Sequence, residues 1–149
     1  MVAQMLAPAA VLIAWSLVML AWTALTRFPA MKRAGIDLAK SEPGGRGQDL
    51  DGRIEARAQW KAHNYAHLME QPTLFYAAVM IIALLGAAAG DVLAAWLYVA
   101  LRIVHSLWQS LVNRVPVRFT LFLLSTLALA WLAGRALALT LFADPAVLS

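Results

Sequence analysis

Five polar residues, Arg102, His105, Ser106, Gln109 and Asn113, recur at helical spacing within an otherwise apolar stretch of the sequence. Side chains three or four residues apart share one face of a helix, so these groups form a single polar stripe. A guanidinium in the middle of a membrane helix is costly unless it faces the protein interior and meets an anion or a polar cavity. The stripe therefore predicts a site for a polar ligand. A buried ion pair that only fixes helix packing is the competing interpretation.

A second polar stripe precedes the neighbouring apolar run: Arg57, Lys61 and Asn64, with His63, His67 and Glu70 slightly further around the helix. Counted outward from the turn that joins the two runs, Glu70 is level with residues 106–109. His105 and the guanidinium of Arg102 are thus its expected partners, since a carboxylate beside an arginine stays ionised and holds it in place. With Arg118 nearby, the two stripes predict a net cationic pocket for a small anion that carries several carboxylates.

A metal site is an alternative for the second stripe. His63, His67 and Glu70 are spaced H-x3-H-x2-E, which places three possible ligands on one helix face. The zinc-protease helix has a glutamate directly after its first histidine, whereas Asn64 occupies that position here. The chain contains no cysteine, which excludes a thiolate site and a cysteine nucleophile. We therefore expect no metal at this stripe.

The elements that must position these groups are membrane helices. Hydrophobic residues make up 62% of the 149 residues and charged residues only 13%, where a soluble domain carries about 25%. Of the 20 charged residues, 14 lie between Arg27 and Glu70. The net charge of +4 is not accompanied by a basic patch interleaved with aromatic residues. We assign these charges to topology and lipid headgroups and expect no nucleic acid partner.

The apolar runs predict four membrane spans, because a helix needs about 20 mainly apolar residues to cross a bilayer. Pro116 suits the first turn of the last span, where a missing N–H costs nothing. From about Leu50 the residue pattern is helical and continues without a break into the second span. It predicts one helix of about 35 residues. The expected fold is all-α and integral to the membrane, a single four-helix up-down bundle over residues 1–149. The expected spans are at about 5–26, 68–90, 92–112 and 117–142, with a cytoplasmic loop at about 27–55.

Loop charges predict the orientation, because lysine and arginine accumulate in cytoplasmic loops. Loop 1 and its helical extension hold eight of them, and Arg114 and Arg118 flank the turn between spans 3 and 4. The turn between spans 2 and 3 holds only Asp91. We expect a multi-pass protein of a bacterial inner membrane, surrounded by membrane lipids, with both termini outside the cytoplasm. Arg135 is expected to snorkel to the outer surface and anchor there.

Two parts of the sequence resemble a known family. Arg102-Ile-Val-His105, followed by Asn113-Arg114-Val-Pro116-Val-Arg118, is similar to the third helix and third loop of the MAPEG family, the membrane-associated proteins of eicosanoid and glutathione metabolism. The segment Asn64-Tyr-Ala-His67-Leu-Met-Glu70-Gln-Pro72 resembles the family's N-x-x-E motif followed by proline. The resemblance covers all four spans and the long first loop.

The resemblance implies a homotrimer of four-helix subunits that binds glutathione between neighbouring subunits near the cytoplasmic side. It implies a glutathione-dependent transferase or peroxidase acting on lipophilic electrophiles that enter from the bilayer. Arg118 matches the catalytic arginine that stabilises the glutathione thiolate in active members, and a guanidinium beside a thiol favours that attacking form. The residues implied to bind glutathione are Lys61, Asn64, His67, Glu70, Arg102, His105, Gln109 and Arg114.

The sequence departs from the family pattern in residue type at three positions, and the interval from Glu70 to Pro72 is shorter than in the mammalian enzymes. His67 stands where asparagine is usual, Gln109 stands where a catalytic member has tyrosine, and Phe119 stands where serine follows the arginine. The alternative function is therefore a non-catalytic lipid-binding or scaffold protein of the same fold. A small proton-coupled exporter is disfavoured, because span 1 contains no acidic residue.

Overall fold

The structure, a computed structural model, describes residues 1–142, so residues 143–149 of the expected domain lie outside the described part. The α-helices in this part are α1 (Val2–Arg33), α2 (Ala56–Leu68), α3 (Gln71–Leu85), α4 (Ala89–Leu111) and α5 (Val115–Leu141). Two single-turn 3-10 helices, Leu38–Lys40 and Gly47–Leu50, lie between α1 and α2. Residues 1–142 contain no β-strand.

Four of these elements are long and apolar enough to cross a membrane: α1, the α2–α3 pair, α4 and α5. Their outer surfaces carry large apolar side chains that are at least 60% exposed, among them Leu25, Leu84, Leu93, Leu127 and Leu141. A surface of this kind is suited to lipid or to another apolar partner. The chain is thus an integral multi-pass membrane protein, and the predicted all-α fold with four spanning helices is confirmed.

An apolar core joins α1, α3 and α4. Met5, Leu12 and Met19 repeat every two turns along one face of α1 and are completely buried. Phe75 of α3 stacks on Tyr98 of α4, with the ring centroids 4.3 Å apart. These contacts hold the three helices in fixed register next to the polar stripe of α4.

Helix α1 extends beyond the predicted first span and ends at Arg33. Its end is closed by Ile36, whose backbone N–H donates to the carbonyl oxygen of Met31 at 3.0 Å. Gly35 has a φ of 69°, a left-handed conformation that glycine adopts without strain at helix ends. The charges that begin at Arg27 mark the edge of the apolar run and do not stop the helix, which continues beyond the predicted span.

The second predicted helix is interrupted, and the expectation of one continuous helix is wrong. α2 ends at Leu68 and α3 begins at Gln71, with Met69 and Glu70 between them. Pro72 explains the interruption, because it offers no N–H to the carbonyl of Leu68 and its ring crowds that carbonyl. α2 also starts later than the pattern suggested, since a turn precedes it.

Arg135, which the sequence predicts to anchor at the outer surface, also pairs with an acidic residue of α4. Its Nε lies 3.0 Å from Oδ1 of Asp91, and its Nη2 lies 3.3 Å from Oδ2. Asp91 is almost completely buried, and a buried carboxylate requires a partner of this kind. The pair joins α4 to α5 at the end of the bundle opposite the predicted site.

Candidate functional site

The polar stripe of α4 faces the interior of the bundle, as its spacing predicts. Arg102, His105, Ser106 and Gln109 are each at most 5% exposed, and Ser110 beside them is completely buried. Buried polar groups need polar partners from neighbouring elements. Helix α2 supplies several of those partners, so the site is built where α2 meets α4.

Arg102 binds the last turn of α2. Its Nη2 donates to the carbonyl oxygen of His67 at 3.1 Å and lies 3.0 Å from Nδ1 of the same residue. Glu70, the expected partner, is exposed and forms no ion pair within residues 1–142. Glu70 lies in the break between α2 and α3, and Arg102 binds His67 in its place, so the predicted pairing of Glu70 with Arg102 and His105 is wrong.

Two imidazoles and a phenyl ring pack beside this contact. His67 and His105 stack with their ring centroids 5.2 Å apart and their planes 21° apart. His67 also makes an edge-to-face contact with Phe122 of α5 at 5.4 Å. Phe122 follows Arg118 by four residues, so the two side chains share a face of α5. α2, α4 and α5 thus converge at the histidine pair, with Arg118 on the same side.

Asn64 is completely buried and connects α2 to α4. Its Nδ2 donates to Oγ of Ser106, which also accepts a hydrogen bond of 3.0 Å from Nε1 of Trp15 on α1. Residues from three helices therefore hold the Asn64 amide in one orientation. Its Oδ1 has no hydrogen-bond partner among the described residues and is left as a free acceptor.

Five buried atoms of the predicted site lack a hydrogen-bond partner within residues 1–142: Asn64 Oδ1, Arg102 Nε and Nη1, His105 Nδ1 and Gln109 Oε1. A buried polar group left unpaired costs about 1–3 kcal/mol, and proteins pair most such groups. These atoms are concentrated where α2 meets α4.

Lys61 points toward α1 and lies at the edge of this cluster. Its Nζ donates to the carbonyl oxygen of Arg57 at 2.7 Å and lies 5.6 Å from the ring centroid of Trp22. The indole face stabilises the ammonium group. The structure therefore does not bring Lys61 to Arg102, although Asn64 is less than one turn away.

Arg114 and Arg118 lie where α4 turns into α5. Arg118 is half-buried, and its Nη1 donates to Oδ1 of Asn113 at 2.7 Å. Asn113 has a φ of 55°, a left-handed conformation that asparagine tolerates better than most residues. Arg114 is exposed, and its carbonyl oxygen accepts a hydrogen bond of 3.3 Å from Nε1 of Trp108. The turn thus fixes the guanidinium of Arg118 and leaves that of Arg114 on the surface.

The three possible metal ligands of α2 do not converge. His63 Nε2 lies 2.9 Å from Oδ1 of Asp51, His67 contacts Arg102, and Glu70 is exposed. In the part of the chain that the structure describes, no three His, Asp or Glu side chains come close enough to hold a metal ion. The H-x3-H-x2-E spacing instead directs His63 to loop 1 and His67 to α4.

Loop 1 is fastened to the bundle by contacts that no sequence pattern indicated. Asp51 accepts hydrogen bonds from Gln59 and His63, and these hydrogen bonds lower the pKa of Asp51 below its usual value. Arg27 donates from Nη2 to the carbonyl oxygen of Gly47. A Cβ at Gly47 would lie 2.8 Å from Nη1 of Arg27, so glycine permits this close approach.

Gln71, at the start of α3, was also not expected in a polar network. Its Nε2 donates to Oγ1 of Thr126 on α5 at 2.8 Å, and its Oε1 accepts from the hydroxyl of Tyr98 on α4 at 3.4 Å. In the sequence, Gln71 is distinguished only by its position before Pro72, and this position does not indicate partners on other helices. Gln71 thus continues the polar interior one turn beyond Arg102 and joins three helices.

Comparison with known proteins identifies the family. The model of the MAPEG family matches residues 5–138, nearly the whole chain, and this range contains every residue of the predicted site. No curated protein and no solved structure matches the chain. The family motifs and the four spanning helices agree with this match, and the chain belongs to the MAPEG family.

Proposed function

We propose that the chain is a glutathione-dependent transferase or peroxidase that acts on lipophilic electrophiles reaching it from the bilayer. Membership of the family supports the use of glutathione. The observation that carries the proposal is the group of five unpartnered buried atoms on Asn64, Arg102, His105 and Gln109. A cluster with a purely structural role would pair its donors with its acceptors.

The residues present fit the chemistry of glutathione, which has two carboxylates, an ammonium group and a thiol. Asn64 Oδ1 and Gln109 Oε1 are acceptors and match the N–H groups of a peptide. Glu70 would hold the ammonium group, while Lys61 and Arg114 at the edges of the cluster attract an anion. When bound, glutathione supplies the nucleophilic sulfur.

Arg118 is the residue that we assign to stabilising the thiolate. A guanidinium has five N–H donors, and the hydrogen bond to Asn113 uses only Nη1. Arg118 shares a face of α5 with Phe122, whose ring contacts His67 and His105. A cation beside a thiol favours the thiolate, which is the attacking form.

A neighbouring subunit of a homotrimer would complete this site. Glu70 and Arg114 are exposed and Arg118 is only half-buried, so these three side chains reach the surface of the subunit. A trimer in a bacterial inner membrane would cover these groups and hold glutathione between subunits near the cytoplasmic side, with both termini outside the cytoplasm.

A non-catalytic lipid-binding or scaffold protein of the same fold is the second candidate. Phe119, next to Arg118, is 61% exposed and offers no hydroxyl to a thiolate. Arg102 also has a structural role at the end of α2. That role uses Nη2 alone, however, and leaves Nε and Nη1 of the same guanidinium unpaired. The unpaired atoms favour a polar ligand.

The proposal is tested with the purified full-length chain in detergent. Calorimetry measures glutathione binding, and conjugation of a chlorinated nitrobenzene measures turnover. We expect Arg118→Ala to lower kcat/KM about 100-fold, because a donor that stabilises the reacting anion is lost. Lys40→Ala, which removes a lysine from loop 1 with a side chain 85% exposed, should leave it unchanged. A wild type that does not bind glutathione would overturn the proposal, and binding without turnover would favour the scaffold.

A further inference from the structure

An exposed apolar face of α1 continues past the predicted membrane span. Leu17, Leu25 and Phe28 are each more than half exposed, and their spacing places them on one face of the helix. Lys32 follows Phe28 by four residues and lies on the same face. At 1.5 Å per residue, Phe28 lies about 3 Å and Lys32 about 9 Å beyond residue 26, where the predicted span ends. This face therefore carries a phenyl ring at the edge of the hydrocarbon and an ammonium group near the lipid headgroups.

Loop 1 turns back toward this face and adds a second exposed apolar side chain. Ile36 packs against the apolar cluster that contains Met31, which holds the start of the loop against the last turn of α1. In the 3-10 turn that follows, the carboxylate of Asp37 accepts a hydrogen bond of 3.0 Å from the backbone N–H of Ala39. Leu38 lies within this turn and is 57% exposed. The turn thus holds an apolar side chain in place without burying it.

Phe28 and Leu38 line one open groove with a volume of about 420 Å³, and Met31 and Ile36 line it as well. An ordered apolar surface that is left exposed marks an interaction site. The groove continues the exposed face of α1, a helix that is long and apolar enough to cross the membrane. Lipid is therefore the partner that lies next to the groove.

The groove also carries an excess of positive charge. Between residues 28 and 40 the sequence has three cations, Lys32, Arg33 and Lys40, and one carboxylate, Asp37. Arg33 pairs with Glu55, and Lys40 lies 4.0 Å from Asp37 with its side chain 85% exposed. Lys32 lines the groove and forms no ion pair within residues 1–142. Its ammonium group is available to an anion, and a lysine beside a membrane surface attracts anionic lipid.

We propose that this groove binds one anionic phospholipid of the leaflet next to loop 1. An acyl chain lies on Phe28 and Leu38, and the phosphate lies at the ammonium group of Lys32. None of these residues belongs to the proposed glutathione site, so lipid binding here is independent of the proposed function. A phospholipid fits better than a free phosphate, because the groove offers an apolar surface and a single exposed cation holds an anion only weakly.

Native mass spectrometry of the full-length chain in detergent counts the bound lipid molecules. Dioleoyl phosphatidylglycerol and dioleoyl phosphatidylcholine are the probes, because they share their acyl chains and differ in net charge. We expect wild type to bind phosphatidylglycerol about tenfold more tightly, and equal affinities would overturn the selection for an anion. Glycerol phosphate, added as its ammonium salt, should not displace the lipid. Displacement would assign the groove to a free phosphate instead.

Three substitutions at exposed positions separate this groove from the general charge of loop 1. Lys32→Gln should weaken phosphatidylglycerol binding about fivefold and leave phosphatidylcholine unchanged, since only a charge is lost. Leu38→Ser should weaken both lipids alike, by about threefold, since apolar contact is lost. The matched control Arg53→Gln removes an exposed cation of loop 1 that does not line the groove, and it should change neither affinity. Equal losses in Lys32→Gln and Arg53→Gln would overturn the proposed site.

A spin label on Leu38→Cys reports the depth of the turn, because the chain has no other cysteine. In nanodiscs that contain both lipids, the label should be more accessible to oxygen, which concentrates in the bilayer, than to a water-soluble nickel complex. The reverse order would place the turn in water and overturn its contact with lipid. Thermal unfolding in detergent confirms that each variant is folded.

Discussion

Asp91 in the first turn of α4 binds Arg135 of α5 through two parallel hydrogen bonds of 3.0 and 3.3 Å. The same carboxylate accepts a hydrogen bond of 3.0 Å from the backbone N–H of Ala88, which closes the start of α4. The Asp91 side chain is 2% exposed, whereas that of Arg135 is 34% exposed. Loss of the ion pair should therefore be more costly for Asp91 than for Arg135, because Arg135 can reach the surface and Asp91 cannot.

We predict that Arg135→Ala destabilises the bundle more than Asp91→Asn does. Removal of the arginine leaves a buried carboxylate without a counter-charge, which costs about 3 kcal/mol, whereas asparagine keeps an acceptor for Ala88 and carries no charge. The double variant should be more stable than Arg135→Ala alone, since the uncompensated charge is gone. Unfolding by denaturing detergent measures the three free energies. A loss of less than about 0.5 kcal/mol for Arg135→Ala would contradict a structural role for the pair.

We predict that the importance of Arg102 for stability depends on Pro72. Arg102→Leu leaves the carbonyl oxygen and Nδ1 of His67 unpaired, which should lower the free energy of unfolding by about 2 kcal/mol. Pro72→Ala restores an N–H for the carbonyl of Leu68 and removes the crowding ring, so α2 and α3 can form one helix. The cost of Arg102→Leu should therefore be smaller in the Pro72→Ala background. The same detergent titration, without glutathione, gives this double-mutant cycle, and strictly additive effects would show that the two residues act independently.

The attachment of loop 1 to α2 should weaken in acid. Hydrogen bonds from Gln59 and then His63 lower the pKa of Asp51 below its usual value of 3.8. A carboxyl with a lowered pKa stabilises the folded state above its unfolded-state pKa, and this contribution is lost as the pH falls through the folded-state pKa. We therefore expect the loop to be held at neutral pH and released below pH 3.8.

A spin label on Gly45→Cys reports this release, because the chain has no other cysteine. Its mobility should be low at neutral pH and should rise on acidification. In the Asp51→Asn background the charged acceptor is gone at every pH, so the label should be mobile throughout and lose its acid transition. An acid transition that survives this substitution would assign the attachment to another group.

Sequence periodicity was sufficient to place the stripe of α4, because the burial of Arg102, His105 and Gln109 depends only on spacing within one helix. The partners of the stripe depend on how α2 is aligned with α4. That alignment was counted along an unbroken helix, and Pro72 ends the helix before Glu70. The interruption at Pro72 also leaves the carbonyl oxygen of His67 available to Arg102. The guanidinium therefore contacts His67 and not Glu70.

Pairs between distant residues left no signal in the sequence. Asp91 and Arg135 are 44 residues apart, and Gln71 and Thr126 are 55 apart. Helical spacing identifies the face on which a side chain lies, but it does not give the rotation and depth of another helix against that face. The sequence predicts only the distance of Arg135 from the membrane surface, whereas its partner depends on how α4 packs against α5.

The orientation predicted from the loop charges can be tested with two single cysteines. Gly45→Cys lies in loop 1, has no unusual φ, and its Cβ would meet only the carbonyl oxygen of Glu42 at 3.4 Å, so the loop should be undisturbed. Gly47 is unsuitable, because a Cβ there would displace Arg27. Gly90→Cys, near the start of α4, has open space around it and serves as the matched control on the opposite side of the membrane.

With an impermeant maleimide added to intact cells, Gly90→Cys should be labelled and Gly45→Cys should be protected until the membrane is opened. The physical reason is the positive charge of loop 1, which holds that loop on the cytoplasmic side during insertion. The reverse labelling pattern would move Arg118 and the histidine pair to the outer half of the bilayer. Glutathione would then have to reach the site from outside the cytoplasm, so the same experiment decides from which compartment the proposed substrate enters.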